Sequence, residues 1–154
     1  MPHIHDKIDF CVEVFVVHKN KVLLRKHDKH KIWLSVGGHI ELNEDPNEAA
    51  IREVKEEVGL DVQLIHSTKF PIVHGDHRGL IPPVFISRIR MSETHEHVVF
   101  VYFAHSSTDK LTPSNKEISE ECRWFTQTEL EDPIFKLKKD VQVYAKAALA
   151  TLER

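Results

Sequence analysis

Residues 38–60 read GHIELNEDPNEAAIREVKEEVGL, and this stretch carries signals for both ends of a helix. Asp45 is a good N-cap, Pro46 suits the first helical position, and Glu48 stands three residues after the cap, which completes a capping-box pattern. The helical pattern runs to Val58. Gly59 then supplies the residue that most readily takes the left-handed conformation past a helix end. The spacing predicts a helix of about 13 residues over 46–58.

At about 100° per residue, Ile51, Val54 and Val58 fall on one stripe, which is predicted to face a core. Glu53, Glu56 and Glu57 fall on another. Three or four residues apart, these carboxylates repel one another by a few tenths of a kcal/mol per pair. Crowding the carboxyl end costs each a further ~0.3–1 kcal/mol against the helix dipole. A hard divalent cation bound by carboxylate oxygens offsets both penalties, and Mg²⁺ or Mn²⁺ suits such a site. The competing reading is a solvated acidic face partly neutralised by Arg52 and Lys55. Against it stand Gly37 and Gly38 just upstream, where backbone can approach a ligand, and the loop acids Glu41 and Glu44.

Gly38, Glu44, Arg52, Glu53, Glu56, Glu57 and Gly59 stand at the spacing Gx5Ex7REUxEExGU, with Val54 and Leu60 at the apolar U places. At average residue usage, nine such matches arise by chance on the order of once per billion start positions. This is the signature of the Nudix hydrolases, which the chain resembles. The resemblance implies an α/β fold, a Nudix-type α/β/α sandwich with a mixed sheet between helices, as one domain over residues 1–154. It also implies hydrolysis of a nucleoside diphosphate derivative by water attack on phosphorus, with Mg²⁺ (or Mn²⁺) as cofactor. In similar proteins the glutamates matching Glu53, Glu56 and Glu57 hold the metals, and a glycine carbonyl near Gly37 or Gly38 can join them. Arg52 resembles the arginine that orients these carboxylates, and Glu44 the glutamate that fixes loop to helix. For the general base, Glu53 comes first, and Glu117, Glu120 and Glu121 are the later-loop alternatives.

Composition sets broader limits. A chain of 154 residues with 41% hydrophobic and 29% charged residues is long enough to bury a real core as a globular domain. A formal charge of -3 gives no basic footprint, so polymeric nucleic acid is not an expected partner. No apolar run reaches the roughly 18 residues that a membrane span needs, and the amino terminus lacks a signal-peptide pattern. A cytoplasmic location and a small-molecule nucleotide substrate are expected. A homodimer is compatible with the resemblance. Cys11 and Cys122 are too few for a disulfide framework, and Cys11 in its strand-like run reads as a buried thiol.

Along the chain, Ile8–Val17 and Lys21–Arg25 read as a hairpin. Extended chain is expected over 61–73, and strands at Val84–Arg90, Val98–Ala104 and Arg123–Phe125. The run VVFVYFA lacks alternation, as in a strand covered on both faces. Thr126–Leu130 begins a turn of helix. Leu137–Leu152 reads as an amphipathic closing helix, with Val141, Tyr144, Ala148 and Leu152 on one stripe.

Substrate choice has to be set outside the box. Arg25 ends the second strand, where similar proteins often place a cation against phosphate and where an ordinary exposed strand end is the other reading. Trp33 is a candidate for stacking on a nucleobase, although an aromatic beside Ile32 and Leu34 suits a core as well, and His39 follows the glycine pair. His95 and His97, two apart, share a strand face and suit substrate contact or a transition metal. With no cysteine or third ligand at zinc spacing, they read as scattered surface histidines, as do His3 and His5. The segment WLSVGG has Val36 where nucleoside-triphosphate-cleansing relatives carry proline, and marks of other named subclasses are not found. Two alternatives belong to other classes. One is a Nudix-fold ligand sensor without turnover, and the other an isoprenoid-diphosphate isomerase, which needs a catalytic cysteine facing the site.

Overall fold

A computed structural model describes residues 6–27, 29–66, 73–112 and 121–152. Its strands, in chain order, are β1 (Ile8–His18), β2 (Lys21–Lys26), β3 (Trp33–Leu34), β4 (Val36–His39), β5 (Val62–Leu64), β6 (Val73–His74), β7 (His77–Arg78), β8 (Phe85–Arg90), β9 (Glu96–Ser106) and β10 (Glu121–Phe125). The helices are α1 (Pro46–Val58), α2 (Gln127–Glu131) and α3 (Lys139–Leu152), with a short 3-10 turn at Pro133–Phe135.

The centre of the sheet is the parallel pair β1–β9, in register from Ile8 opposite Glu96 to Val17 opposite His105. Both strands are largely buried, which explains the Val-rich content of β1 and the VVFVYFA run of β9. β1 shares its other edge between β4, at Cys11–Val14, and β2, at Val17–His18. β9 does the same with β8 and β5. β10 closes the far side on β2. Side-chain alternation divides the core into two layers. Val12, Val14, Val16, Tyr102 and Ala104 pack against Ala50, Val54 and Val58 of α1. Phe15, Val17, Val101 and Phe103 pack against Val141, Ala145 and Ala148 of α3. The result is the three-layer α/β/α arrangement.

Helix α1 has the bounds that its caps predict. The Asp45 carboxylate accepts from the Glu48 amide, Glu48 answers at the Asp45 amide, and Gly59 sits at φ 73° with its N–H donating to the Lys55 carbonyl. The buried stripe differs from expectation at one residue. Ile51 is 45% exposed, whereas Glu53 and Glu57 are only 4% and 6% exposed. The helix is rolled so that these two carboxylates face β4, and Ala50, Val54 and Val58 complete the contact. In α3, Tyr144 lies against Phe15 and Phe85.

Candidate active site

Glycines on β4 let α1 carboxylates approach the sheet. A Cβ on Gly38 would overlap the Glu53 carboxylate, and the Gly37 N–H donates to Glu57 Oε1 at 3.3 Å. Arg52 binds the rest of the cluster. Its Nε and Nη2 form a fork on Glu44 at 2.9 and 2.6 Å, and its Nη1 reaches Glu53 Oε1 at 2.9 Å and Glu56 Oε2 at 3.3 Å. Nη2 also donates to the His39 carbonyl at 3.0 Å, which ties the helix to the end of β4. Bidentate charge-assisted bonds of this kind fix geometry as well as charge. Glu44 in turn accepts from the Glu41 amide at 2.8 Å.

The electrostatics follow from burial. Hydrogen bonding from Arg52 holds the Glu44 carboxyl below its usual range. Burial pushes Glu53 up, against the pull of the Arg52 charge and hydrogen bond, and the neighbouring Glu56 and Glu44 push the same way. Glu57 is paired with the guanidinium of Arg25, which reaches it from β2. Five carboxylates, Glu41, Glu44, Glu53, Glu56 and Glu57, thus meet two guanidiniums, Arg52 and Arg25. The cluster keeps a negative surplus, which a cation complements. Its donors are all carboxylate oxygen, the chemistry that Mg²⁺ and Mn²⁺ prefer, and Glu56, at 55% side-chain exposure, leaves the cluster open to solvent. Glu53 and Glu56 share Arg52 Nη1, whereas Glu57 is held on Arg25 and the Gly37 amide, and these three are the residues that would hold such an ion.

On the other side of the same glycines lies a cleft of about 880 Å³, whose wall includes Glu13, Gly37, Gly38, His39, His97 and Arg90. The box glutamates do not line it; they meet Gly37 and Gly38 from the helix side. Burial and, next, the nearby charge of Asp140 push the Glu13 carboxyl up to about 7.

The residues read as substrate contacts distribute differently from expectation. Trp33 is 5% exposed and packs edge-to-face on Phe125 and Phe135, so it is a core residue with no face to offer a base. β3 pairs with β2 and turns the indole towards the β10 and α3 side, the core placement that the neighbouring Ile32 and Leu34 also suit. Arg25 is no exposed strand end, because its guanidinium is held against Glu57. His39 faces the cleft, with Nε2 3.2 Å from Asp9 Oδ2. His95 and His97 are not scattered surface residues. His95 is 7% exposed, and both rings join a cluster with His39, Asp9 and Cys11. Asp9 escaped the sequence reading altogether, since only the β1–β9 register brings it beside His97. Glu117 and Glu120 lie outside the described residues, as do His3 and His5, and Glu121 begins β10 at an exposed position.

The geometry defines an α/β/α domain with an acid-rich helix end pressed against a glycine strand. A model of the NUDIX domain matches residues 9–147. The solved structure of a NUDIX-family hydrolase from Clostridium perfringens superposes at a TM-score of 0.81 with 37% identity, over 94% of this chain and 97% of that one. The chain belongs to the Nudix family. Among curated relatives, the NAD-capped RNA hydrolase NudC of Vibrio atlanticus (strain LGP32) is 31% identical over 124 residues, and the m7GpppN-mRNA hydrolase NUDT17 of Xenopus laevis 31% over 128. These alignments take in 79% and 76% of the chain but only 39% and 41% of the relatives, so the chain spans about two fifths of their length.

Proposed function

We propose that this protein is a metal-dependent pyrophosphohydrolase that cleaves the diphosphate linkage of a nucleoside diphosphate derivative. The observation that carries the reading is the excess of carboxylates over guanidiniums at the end of α1, beside a glycine strand. A diphosphate resists nucleophiles because its own charge repels them. A divalent cation bound by Glu53, Glu56 and Glu57 would neutralise diphosphate oxygens and make water more acidic.

The chain's own residues do the rest. Glu53 is the best placed general base: its carboxyl is buried, its proton affinity is raised, and Arg52 holds one oxygen while leaving the other. It takes a proton from the attacking water as the new phosphorus–oxygen bond forms and the anhydride bond breaks. Arg52 and Glu44 fix the carboxylates, and Arg25 orients Glu57. The sensor reading is weaker, because every box carboxylate is present. The isomerase reading needs an active thiol, yet burial, with Asp9, Glu13 and Glu53 adding, pushes Cys11 up to about 12.

The curated relatives are named for two capped RNAs, and a phosphoanhydride is common to both caps. We take small nucleotides as the substrates here, because a formal charge of -3 offers little to a polymer backbone. No helix among the described residues is long and apolar enough to cross a membrane. We place the enzyme in the cytoplasm, as one domain over residues 1–154.

A panel of nucleoside triphosphates, nucleotide sugars, dinucleotides and a capped RNA oligonucleotide, each with Mg²⁺ or Mn²⁺, tests this reading. Release of a mononucleotide or phosphate from at least one small compound, abolished by a chelator, is expected. Turnover of the capped RNA alone would refute the small-molecule assignment, and turnover of nothing would refute the hydrolase.

A further inference from the structure

The imidazole cluster beside the cleft is built by strand register. Asp9 pairs with His97 across β1–β9 and Cys11 with His39 across β1–β4, while His95 precedes His97 by two residues and so shares its face. Asp9 is fully buried, and its Oδ2 lies 3.2 Å from His39 Nε2 and 3.2 Å from His95 Nε2. One ligand atom each from Asp9, His95 and His97 falls within 4.8 Å of the other two, and the same holds for Cys11, His39 and His97.

His95 shows what the cluster needs. Its Nδ1 is 3.3 Å from the Asp6 carbonyl, an oxygen that only accepts, so Nδ1 carries the hydrogen. In the neutral ring, Nε2 then presents a lone pair to a carboxylate oxygen inside the protein. A second proton or a metal ion has to stand between them. The donor set favours the metal, because the ligand atoms of Asp9, His95 and His97 all fall within 4.8 Å of one another, close enough for one ion to touch all three. A backbone carbonyl on the remote ring nitrogen is also the usual support of a metal-bound imidazole.

We propose that Asp9, His95 and His97 form a second cation site, separate from the α1 carboxylates, which takes a transition metal, Zn²⁺ foremost. Two imidazoles and one carboxylate are a donor set suited to Zn²⁺ and poorly suited to Mg²⁺. Cys11 and His39 fall with His97 in a second grouping beside it. An ion on Asp9, His95 and His97 ties β1 to β9 where His97 forms part of the cleft wall.

Calorimetric titration of chelator-stripped protein with Zn²⁺, under saturating Mg²⁺, tests the proposal, with thermal melts alongside. The expected result is one Zn²⁺ per chain and a rise in Tm. His97→Gln, at a half-buried position, and Asp9→Asn should each weaken Zn²⁺ binding by about tenfold or more, and Glu56→Gln should leave it within about twofold. If Asp9→Asn fails to fold, His97→Gln carries the test. The proposal is overturned if Mg²⁺ abolishes Zn²⁺ binding, or if Glu56→Gln loses it while His97→Gln keeps it. It is equally overturned if the wild type binds no Zn²⁺, in which case protonated imidazoles hold Asp9.

Discussion

The α1 carboxylates and the β1–β4–β9 imidazole cluster lie on the two sides of Gly37–Gly38, and they are assembled by opposite routes. In the first, Glu44, Arg52, Glu53, Glu56 and Glu57 fall within 14 consecutive positions, and one helix fixes the spacing of all but Glu44. In the second, Asp9, His39, His95 and His97 come from three strands, and nothing in the spacing of the chain announces them. A site carried by a helix can be read from periodicity. A site carried by a sheet requires the register.

If the two sites are independent, substitutions should separate them. The largest effect is expected for Glu53→Gln, which keeps the shape and removes the base. Turnover should fall by about 10²–10⁴-fold while Zn²⁺ binding is retained. Loss of both together would show that the two regions are one site.

Next in size is Trp33→Ala. The indole is enclosed by Phe125 and Phe135, so its removal should cost about 3–5 kcal/mol in denaturant unfolding. At a temperature where the variant is folded, KM should stay close to wild type. A raised KM with unchanged stability would restore the stacking role.

Glu13 gives a pH test of the cleft side. Its carboxyl is pushed from 4.5 to about 7 in the folded chain, so ionising it costs the folded state. Below pH 4.5 folded and unfolded chains both hold the proton and nothing is lost. The penalty grows as pH rises to about 7 and is complete above that, at most about 3 kcal/mol. Glu13→Gln should therefore raise Tm at pH 8 and leave it nearly unchanged at pH 4. An equal shift at both values would count against the buried carboxyl.

The smallest effect should distinguish the two glycines. At Gly38 an added methyl meets the far end of the Glu53 side chain, which can move, so Gly38→Ala should melt near the wild type yet lose about tenfold in turnover. At Gly37 the same methyl meets the Val12 carbonyl, which is backbone, and stability itself should fall by about 1–3 kcal/mol. Equal behaviour of the two variants would mean that β4 does not position Glu53.

Much of the fold was legible because its signals are local. Asp45, Pro46, Glu48 and Gly59 delimit α1, and the unalternating run through Val101 and Phe103 marks β9 as a covered central strand. Ile51 was misplaced because apolar periodicity ignores the pull of β4 on Glu53 and Glu57, which rolls the helix by part of a turn. For Trp33 the chain leaves stacking and core readings open, because the direction of a two-residue strand depends on what β2 and β10 bring to it. Asp9 gave no signal at all, being one acid at the start of an apolar strand whose partners are 30 to 88 residues away.

The proposed catalysis requires α1 to hold a divalent cation. Its most direct measurement is the Mg²⁺ dependence of hydrolysis for wild type beside Glu56→Gln and Glu57→Gln, on the best compound of the panel. Wild-type turnover should rise with Mg²⁺ to saturation, and both variants should need more Mg²⁺ and reach a lower ceiling, by about 10²-fold or more. Variants with the wild-type Mg²⁺ curve would contradict it.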